Sequence, residues 1–447
     1  MAGRRPALLE AWAKTLRRRG DELAVVQASD GTTATFRELD ARSAAWCEKH
    51  VTDTNRLKGR AVVFAAPNGI GWLEIFLGLL KCGAVVTPLD SGEPLQAQRQ
   101  LAVALRAAAW WSGSSLQPLE SARRYRDPNI CLIKLTSGTT GRPRPLVFTA
   151  AQMLADGAQV TATMGIRARE LNYALIPLGH SYGLGNLTMP LLAQGVPLVC
   201  GSAPLPQAIA ADFARWKPTV FPGVPAMWRA IAASDITLPG LRLGISAGAP
   251  LPPEVAREFA ARFGRRLHSF YGSSETGGIT YDKSGAGALG GTVGRALRGV
   301  KLHALPGGRL RVSSAAVVTH GNKHRVGRHG AWIMPDRTAL DARGELTILS
   351  RLGSTVKLAG RRVSLTEISD RLRRLPRVRD AWAGIAPGRE PVLAAVVATD
   401  RPPAELRGEL LADTAAWKIP RRLIVVAGLP MNARGKTDTR ALKALIA

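Results

Sequence analysis

Short apolar runs rich in β-branched residues recur along this chain, and stretches with helical spacing separate them. The clearest are Ala61-Val-Val-Phe-Ala65, Leu73 to Cys82, Ala84-Val-Val86, Tyr173-Ala-Leu-Ile-Pro177, Val196-Pro-Leu-Val-Cys200, Thr219-Val-Phe221 and Leu241-Arg-Leu-Gly-Ile245. Such alternation predicts an α/β chain with mostly parallel sheets. No internal repeat or low-complexity linker interrupts it. After Leu349 the texture changes to a β-loop-helix-strand order that ends in Leu423-Ile-Val-Val-Ala427. That stretch has the size of a small α+β domain. The predicted layout is a large N-terminal domain over 1–350 and a small domain over 351–447, with the boundary at Arg351 to Gly353.

The length of 447 residues allows two or three domains and a large core. Hydrophobic residues make up 46% and charged residues 21%, as in ordinary globular proteins. No apolar run reaches the ~18 residues that a bilayer span needs. The start, Met1-Ala-Gly-Arg-Arg, has no apolar core behind it before Arg17-Arg-Arg19 and does not read as a secretory signal; a basic transit peptide is the alternative. A cytoplasmic location is the default expectation. Cys47, Cys82, Cys131 and Cys200 are widely spaced and predict buried thiols, not a disulfide frame or a zinc site.

The formal charge is +28, from 61 Lys and Arg against 33 Asp and Glu. Nucleic acid or an anionic membrane would suit that charge. Yet the arginines are spread along the chain without basic–aromatic interleaving, which makes nucleic acid an unlikely partner. The densest cluster, Arg371, Arg373, Arg374, Arg377 and Arg379, reads as the solvated face of a helix. The remaining explanations are compositional bias and attraction to acidic partners. Gly285-Ala-Gly-Ala-Leu-Gly290 matches Gly-x-Gly-x-x-Gly in letters. It has no flanking strand and helix and no acidic residue about 20 positions on, so it predicts a flexible loop and not a dinucleotide site.

One loop points to phosphate. The apolar run Asn129-Ile-Cys-Leu-Ile-Lys-Leu135 reads as a buried strand, and it empties into Thr136, Ser137, Gly138, Thr139, Thr140, Gly141, Arg142, Pro143 and Arg144. The glycines allow close backbone approach, the hydroxyls flank them, and the arginines add positive charge. No Gly-Lys-Ser/Thr follows at the Walker spacing. A polar hairpin is the plainer alternative. Three further segments follow in order: Phe270-Tyr-Gly-Ser-Ser-Glu-Thr-Gly-Gly278, Ser350-Arg-Leu-Gly-Ser-Thr-Val-Lys-Leu-Ala-Gly-Arg-Arg-Val363 and Pro430-Met-Asn-Ala-Arg-Gly-Lys-Thr-Asp438.

In this order and at these separations, the series resembles the adenylate-forming enzymes: acyl- and aryl-CoA synthetases, nonribosomal adenylation domains and luciferases. The resemblance runs from Trp12 onward. It implies stacked α/β subdomains, a mobile C-terminal domain, and activation of a carboxylic acid by ATP with Mg²⁺. Two anions meet in that reaction, so cations and oriented donors are needed at the phosphates.

By resemblance, Thr136 to Arg144 clamps the β- and γ-phosphates, with Arg142 and Arg144 where relatives carry lysine. Tyr271 and Gly272 lie against adenine, Thr276 meets a phosphate, and Glu275 holds Mg²⁺. Gly248 and Ala249, in Ser246-Ala-Gly-Ala-Pro-Leu251, pass adenine and the substrate carboxylate. Asp336 takes the ribose, although Met334-Pro335 replaces the usual Thr-Gly before it; a turn residue is the plainer reading. Arg351 contacts ribose and phosphate. Gly353 stands at the inter-domain pivot where relatives carry Asp. Lys436 is the mobile lysine that bridges the α-phosphate and the carboxylate, and Gly360 lies near the thiol channel.

Leu178-Gly-His-Ser-Tyr-Gly-Leu-Gly185 corresponds to the segment beside the acyl pocket. It carries no Asp of the kind that pairs with an α-amino group, which disfavours an amino-acid substrate. His180 is a candidate catalytic residue; a core histidine is the alternative. Leu184, Met189, Phe221 and Val224 are candidates to line an apolar tunnel. The expected function is formation of an acyl-AMP from a fatty or aromatic acid and transfer to coenzyme A. The alternatives are loading of an acidic acyl carrier protein, or a non-catalytic nucleotide-binding descendant.

Overall fold

The computed structural model describes residues 7–120, 122–136, 144–319, 326–327, 330–351, 355–358, 361–388, 392–414, 418–432 and 437–447. The chain divides into two compact units. The first comprises Met1–Ala304, Arg311–Ile333 and Leu340–Thr347; the second comprises Leu305–Leu310, Met334–Ala339 and Ile348–Ala447.

Two sheets organise the first unit. One has six strands in the order Leu116–Pro118, Ala109–Trp111, Ala61–Ala65, Val85–Leu89, Ile130–Thr136, Arg144–Thr149. Its four central strands are parallel, and an antiparallel strand closes each edge. The other has nine strands, with a parallel run Leu23–Gln27, Leu198–Cys200, Asn172–Ala174, Val220–Gly223, Leu243–Ser246, Leu267–Ser273. Here too the parallel run ends in an antiparallel return, Gly277–Tyr281. The α/β expectation with mostly parallel sheets therefore holds.

Burial explains the runs. Val85–Leu89 is buried at every position, as a strand with both faces covered requires. Leu73 to Cys82, grouped with the strand-like runs above, belongs instead to the helix Ile70–Lys81. Periodicity cannot separate a fully buried helix from a buried strand, and here length decides. This helix packs on Phe36–His50. Gly78 permits that approach, because a Cβ there would lie 2.6 Å from the Trp46 ring. An aromatic core of Tyr173, Phe213, Phe221, Trp228 and Phe259 lies within the larger sheet's half.

Two sequence expectations change. Cys47 and Cys82 form a disulfide between these two packed helices. A separation of 35 residues gave no sign of it, because the helix packing that brings the pair together is tertiary. Cys131 and Cys200 are buried thiols, as expected. In the glycine-rich match, the strand Gly277–Tyr281 precedes, and Gly287–Gly290 is a helical turn rather than an open loop. No longer helix follows before Arg295–Ala296, so the dinucleotide reading stays rejected.

In the second unit, the helix Leu365–Arg373 packs on a three-stranded sheet, Asp380–Ala386, Val392–Ala398, Arg422–Val426. Asp438 caps the helix Thr439–Ile446, accepting from the amides of Arg440 and Ala441. The arginine cluster is more than a solvated face. Arg371 pairs with Glu367, Arg373 with Asp370 and Asp380, and Arg377 with Asp400.

Candidate active site

Two hairpins in the first unit carry the motifs. Each is the last parallel strand of a sheet followed by its antiparallel return. In the first, Thr136 pairs with Arg144 across the mouth of the loop. Ser137, Gly138, Thr139, Thr140, Gly141 and Arg142 lie outside the described residues. The arms are thus a hairpin, and the hairpin carries the phosphate-type motif at its tip; the two readings of this segment are not exclusive. The Arg144 guanidinium stands 5.6 Å from the centre of the Trp332 ring, within cation–π range.

The second hairpin is tighter. Tyr271 pairs with Thr280, Gly272 with Gly278 and Ser273 with Gly277, and Ser274, Glu275 and Thr276 make the turn between the last pair. Ser273 Oγ accepts from the amides of Glu275 and Thr276, at 3.2 Å each. The Thr276 hydroxyl is fully buried and donates to the Gly277 carbonyl at 3.0 Å. A phosphate contact through that hydroxyl would require it to turn away from this bond. The Glu275 carbonyl accepts from the amide of Val318 at 2.8 Å, while its side chain is half-buried.

A residue the motif reading missed holds this turn. Asp156, on the helix Ala150–Met164, is 2% exposed, and its Oδ1 accepts from the amide of Gly278 at 2.9 Å. Burial pushes its carboxyl up, opposed first by Lys134 and then by the Gly278 amide. Lys134, 4% exposed on Ile130–Thr136, has its ammonium 4.3 Å from the Phe148 ring centre. Burial pushes Lys134 down, opposed by Asp156, then Glu275, then Cys131. A charged residue inside an otherwise apolar strand is the signal in the sequence that points to Lys134.

His180 opens the segment beside the expected acyl pocket. Its Nε2 stands 3.5 Å from Asp90 Oδ2, at the end of Val85–Leu89. It therefore faces a carboxylate rather than only backbone. After one helical turn, Ser181–Gly183, the chain makes two wide π turns, Leu184–Thr188 and Pro190–Gln194. The amide of Met189 reaches the carbonyl of Leu184, and Pro190 has no amide to give, which helps explain the widened winding. Three of the tunnel candidates are buried in the apolar interior. Phe221 packs 4.7 Å from Trp228 and 4.9 Å from Tyr173, and Leu184 and Met189 are fully buried. Val224 caps the helix Pro225–Ala232. Tyr182 donates to the Ile245 carbonyl at 3.3 Å and packs on Phe270.

Gly248 takes a left-handed φ of +87°, a conformation that favours glycine, and both it and Ala249 are exposed after Leu243–Ser246. Asp336 belongs to the second unit and lies within the strand Ala331–Leu340, not in a turn. Arg351 ends the strand Leu346–Arg351 in the same unit. Gly353, Gly360 and Lys436 lie outside the described residues.

Among the described residues, no three His, Cys, Asp or Glu side chains stand close enough to hold a metal ion. Glu275 is the carboxylate expected to meet Mg²⁺, and a single carboxylate is a ligand set that suits Mg²⁺ carried on nucleotide phosphates. No helix among the described residues is long and apolar enough to cross a membrane.

The model of the family "AMP-binding enzyme" matches residues 11–110 and 94–309. A 4-coumarate–CoA ligase from Cereibacter sphaeroides is 30% identical over 312 residues, covering 67% of this chain and 68% of the relative. A feruloyl-CoA synthase from an Amycolatopsis species is 25% identical over 465 residues, covering 91% and 92%. The crystal structure of ATP-bound MatB from Rhodopseudomonas palustris superposes with a TM-score of 0.82 at 22% identity, over 97% of this chain and 98% of that one. The chain belongs to the AMP-binding enzymes, the adenylate-forming superfamily, and within it to the acid–thiol ligases of acyl- and aryl-CoA synthetase type.

Proposed function

We propose that this enzyme activates an aromatic or fatty carboxylic acid with Mg·ATP and transfers the acyl group to coenzyme A. The observation that carries the reading is the turn Ser273 to Thr276. It presents one half-buried carboxylate, Glu275, beside an adenine-type Tyr-Gly strand end, on a backbone tied by Ser273 and Thr276. Matched relatives named for 4-coumarate and feruloyl-CoA favour an aromatic acid as the first to test.

In the first step a carboxylate oxygen attacks the α-phosphorus and pyrophosphate leaves. Arg142 and Arg144 hold the departing phosphates with the hydroxyls of Thr136, Ser137, Thr139 and Thr140, while Gly138 and Gly141 let the backbone come close. Tyr271, Gly272, Gly248 and Ala249 seat the base, and Asp336 and Arg351 the ribose. Residues 351–447 act as the mobile domain, which brings Lys436 to the α-phosphate and the carboxylate. In the second step the thiol attacks the acyl carbon and AMP leaves, with Gly360 beside the thiol's approach.

The test is pyrophosphate release from Mg·ATP with aryl, fatty and amino acids, each with and without coenzyme A. Acid-dependent release with an acyl-CoA product is expected. About one equivalent of pyrophosphate per enzyme without that product would move the acceptor to a carrier protein, which the +28 charge would help to attract. Release with no acid would overturn the reading. Lys436→Ala should lower acyl-adenylate formation by roughly 100-fold or more, the scale of removing a donor aimed at developing charge. Wild-type release from that variant would remove Lys436 from the site.

A further inference from the structure

Lys134 and Asp156 have no part in the chemistry just described, yet they are the most deeply buried opposite charges beside it. Burying two ions is costly, and a well-packed apolar pair would often serve stability better. A structural need alone is therefore a poor account of them. Their surroundings give a better one. Asp156 Oδ1 accepts the amide of Gly278, and its Oδ2 has no hydrogen-bond partner. Gly277 sits at φ +69°, where an added Cβ would lie 2.3 Å from Asp156 Oδ1. A Cβ at Gly185, in the wide turn after His180, would lie 2.7 Å from Oδ2. One carboxylate thus fixes the exit of the Glu275 turn to within a methyl group and touches the segment expected to flank the acyl pocket. Lys134, buried on the strand Ile130–Thr136, has its ammonium 4.3 Å from the Phe148 ring centre, and the charges of Asp156 and then Glu275 oppose the downward push of burial on it.

We propose that Asp156 is a positioning residue for the Glu275–Thr276 turn. The proposal rests on the reading of Glu275 as the carboxylate facing Mg·ATP. Asp156 acts through the backbone of Gly277 and Gly278.

The test compares Asp156→Asn, Lys134→Met and the charge-balanced double variant with the wild type. Hydrogen exchange by mass spectrometry reads the segment 270–281 in the free protein, and calorimetry reads ATP affinity with and without Mg²⁺. Asp156→Asn keeps an oxygen for the Gly278 amide but removes the charge. Exchange over 270–281 is expected to rise about 10-fold or more, the change that follows from weakening one charge-assisted hydrogen bond. Exchange over Ala61–Ala65 should not change. Affinity for Mg·ATP should fall about 10-fold while affinity for metal-free ATP changes little. If either single variant fails to fold, the neutral double variant decides, since it buries no unpaired charge; it should fold and still lose the preference for Mg·ATP. Wild-type exchange over 270–281 together with an unchanged Mg²⁺ preference in the folded variants would overturn the proposal. A wild type that binds no Mg·ATP would instead overturn the reading of Glu275, and the exchange arm would still judge the hold of Asp156 on the turn.

Discussion

The two motif hairpins have the same plan and opposite construction. Both extend the last parallel strand of a sheet and return antiparallel. The first, from Thr136 to Arg144, carries a long tip with hydroxyls, glycines and two arginines. The second, from Ser273 to Gly277, is short and internally bonded, and Asp156 holds it from behind. In the proposed function the long cationic tip meets the polyphosphate through its side chains. A short turn places one carboxylate, and its backbone must therefore be fixed by its surroundings. The helix Ala150–Met164 joins the two: it starts where the first hairpin ends and carries Asp156 to the second.

The contrast predicts that backbone change is far worse in the short turn than in the long tip. Gly277→Ala adds a methyl at positive φ, 2.3 Å from a buried carboxylate oxygen. A strained backbone of this kind costs about 1–3 kcal/mol before the clash is counted. The expected outcome is a loss of ~3 kcal/mol or more in denaturant unfolding, with much of the protein insoluble on expression. A loss below about 0.5 kcal/mol would mean that the turn is not fixed as described.

The long tip should fail in function rather than in folding. Arg142→Ala with Arg144→Ala removes two charges from it. At about 1.5–3 kcal/mol for a hydrogen bond to a charged group, ATP affinity should drop roughly 10- to 100-fold or more, while the unfolding midpoint moves little. Calorimetry of ATP binding beside a denaturant titration separates the two. Equal stability losses in this variant and in Gly277→Ala would erase the distinction between the hairpins.

Legibility in the sequence followed the same division. The first hairpin could be read because its chemistry is local: an apolar strand, then a tip of glycines, hydroxyls and arginines. The Tyr-Gly-Ser-Ser-Glu-Thr turn was legible for the same reason. Its support was not. Asp156 lies 122 residues from the amide it binds, inside a helix whose pattern gave no hint of a partner. Lys134 was visible as an odd charge in a strand, but its burial against Phe148 was not. The Cys47–Cys82 bond was hidden likewise, because only helix packing brings the two residues together. Phe221 and Met189 are tunnel candidates only by their apolar character and their place in the sequence beside a site motif. Only the structure shows their neighbours to be Trp228, Tyr173 and Gly157.

The smallest effect tests the connecting helix itself. Thr149 ends the first hairpin and caps Ala150–Met164; its hydroxyl accepts from the amide of Gln152, and the Gln152 side chain accepts from the Thr149 amide in return. The same Gln152 donates to the Val317 carbonyl at 2.7 Å, one residue before the amide that binds the Glu275 carbonyl. The cap thus lies on a short bonded route from the first hairpin to the second turn. Thr149→Ala should cost ~1 kcal/mol in stability, the usual value for a lost N-cap, and Thr149→Ser much less. If the helix couples the hairpins, Thr149→Ala should also raise hydrogen exchange over 270–281 slightly while leaving Ala61–Ala65 unchanged. A stability loss confined to the first turn of the helix would instead mean that the helix carries Asp156 without passing strain from one hairpin to the other.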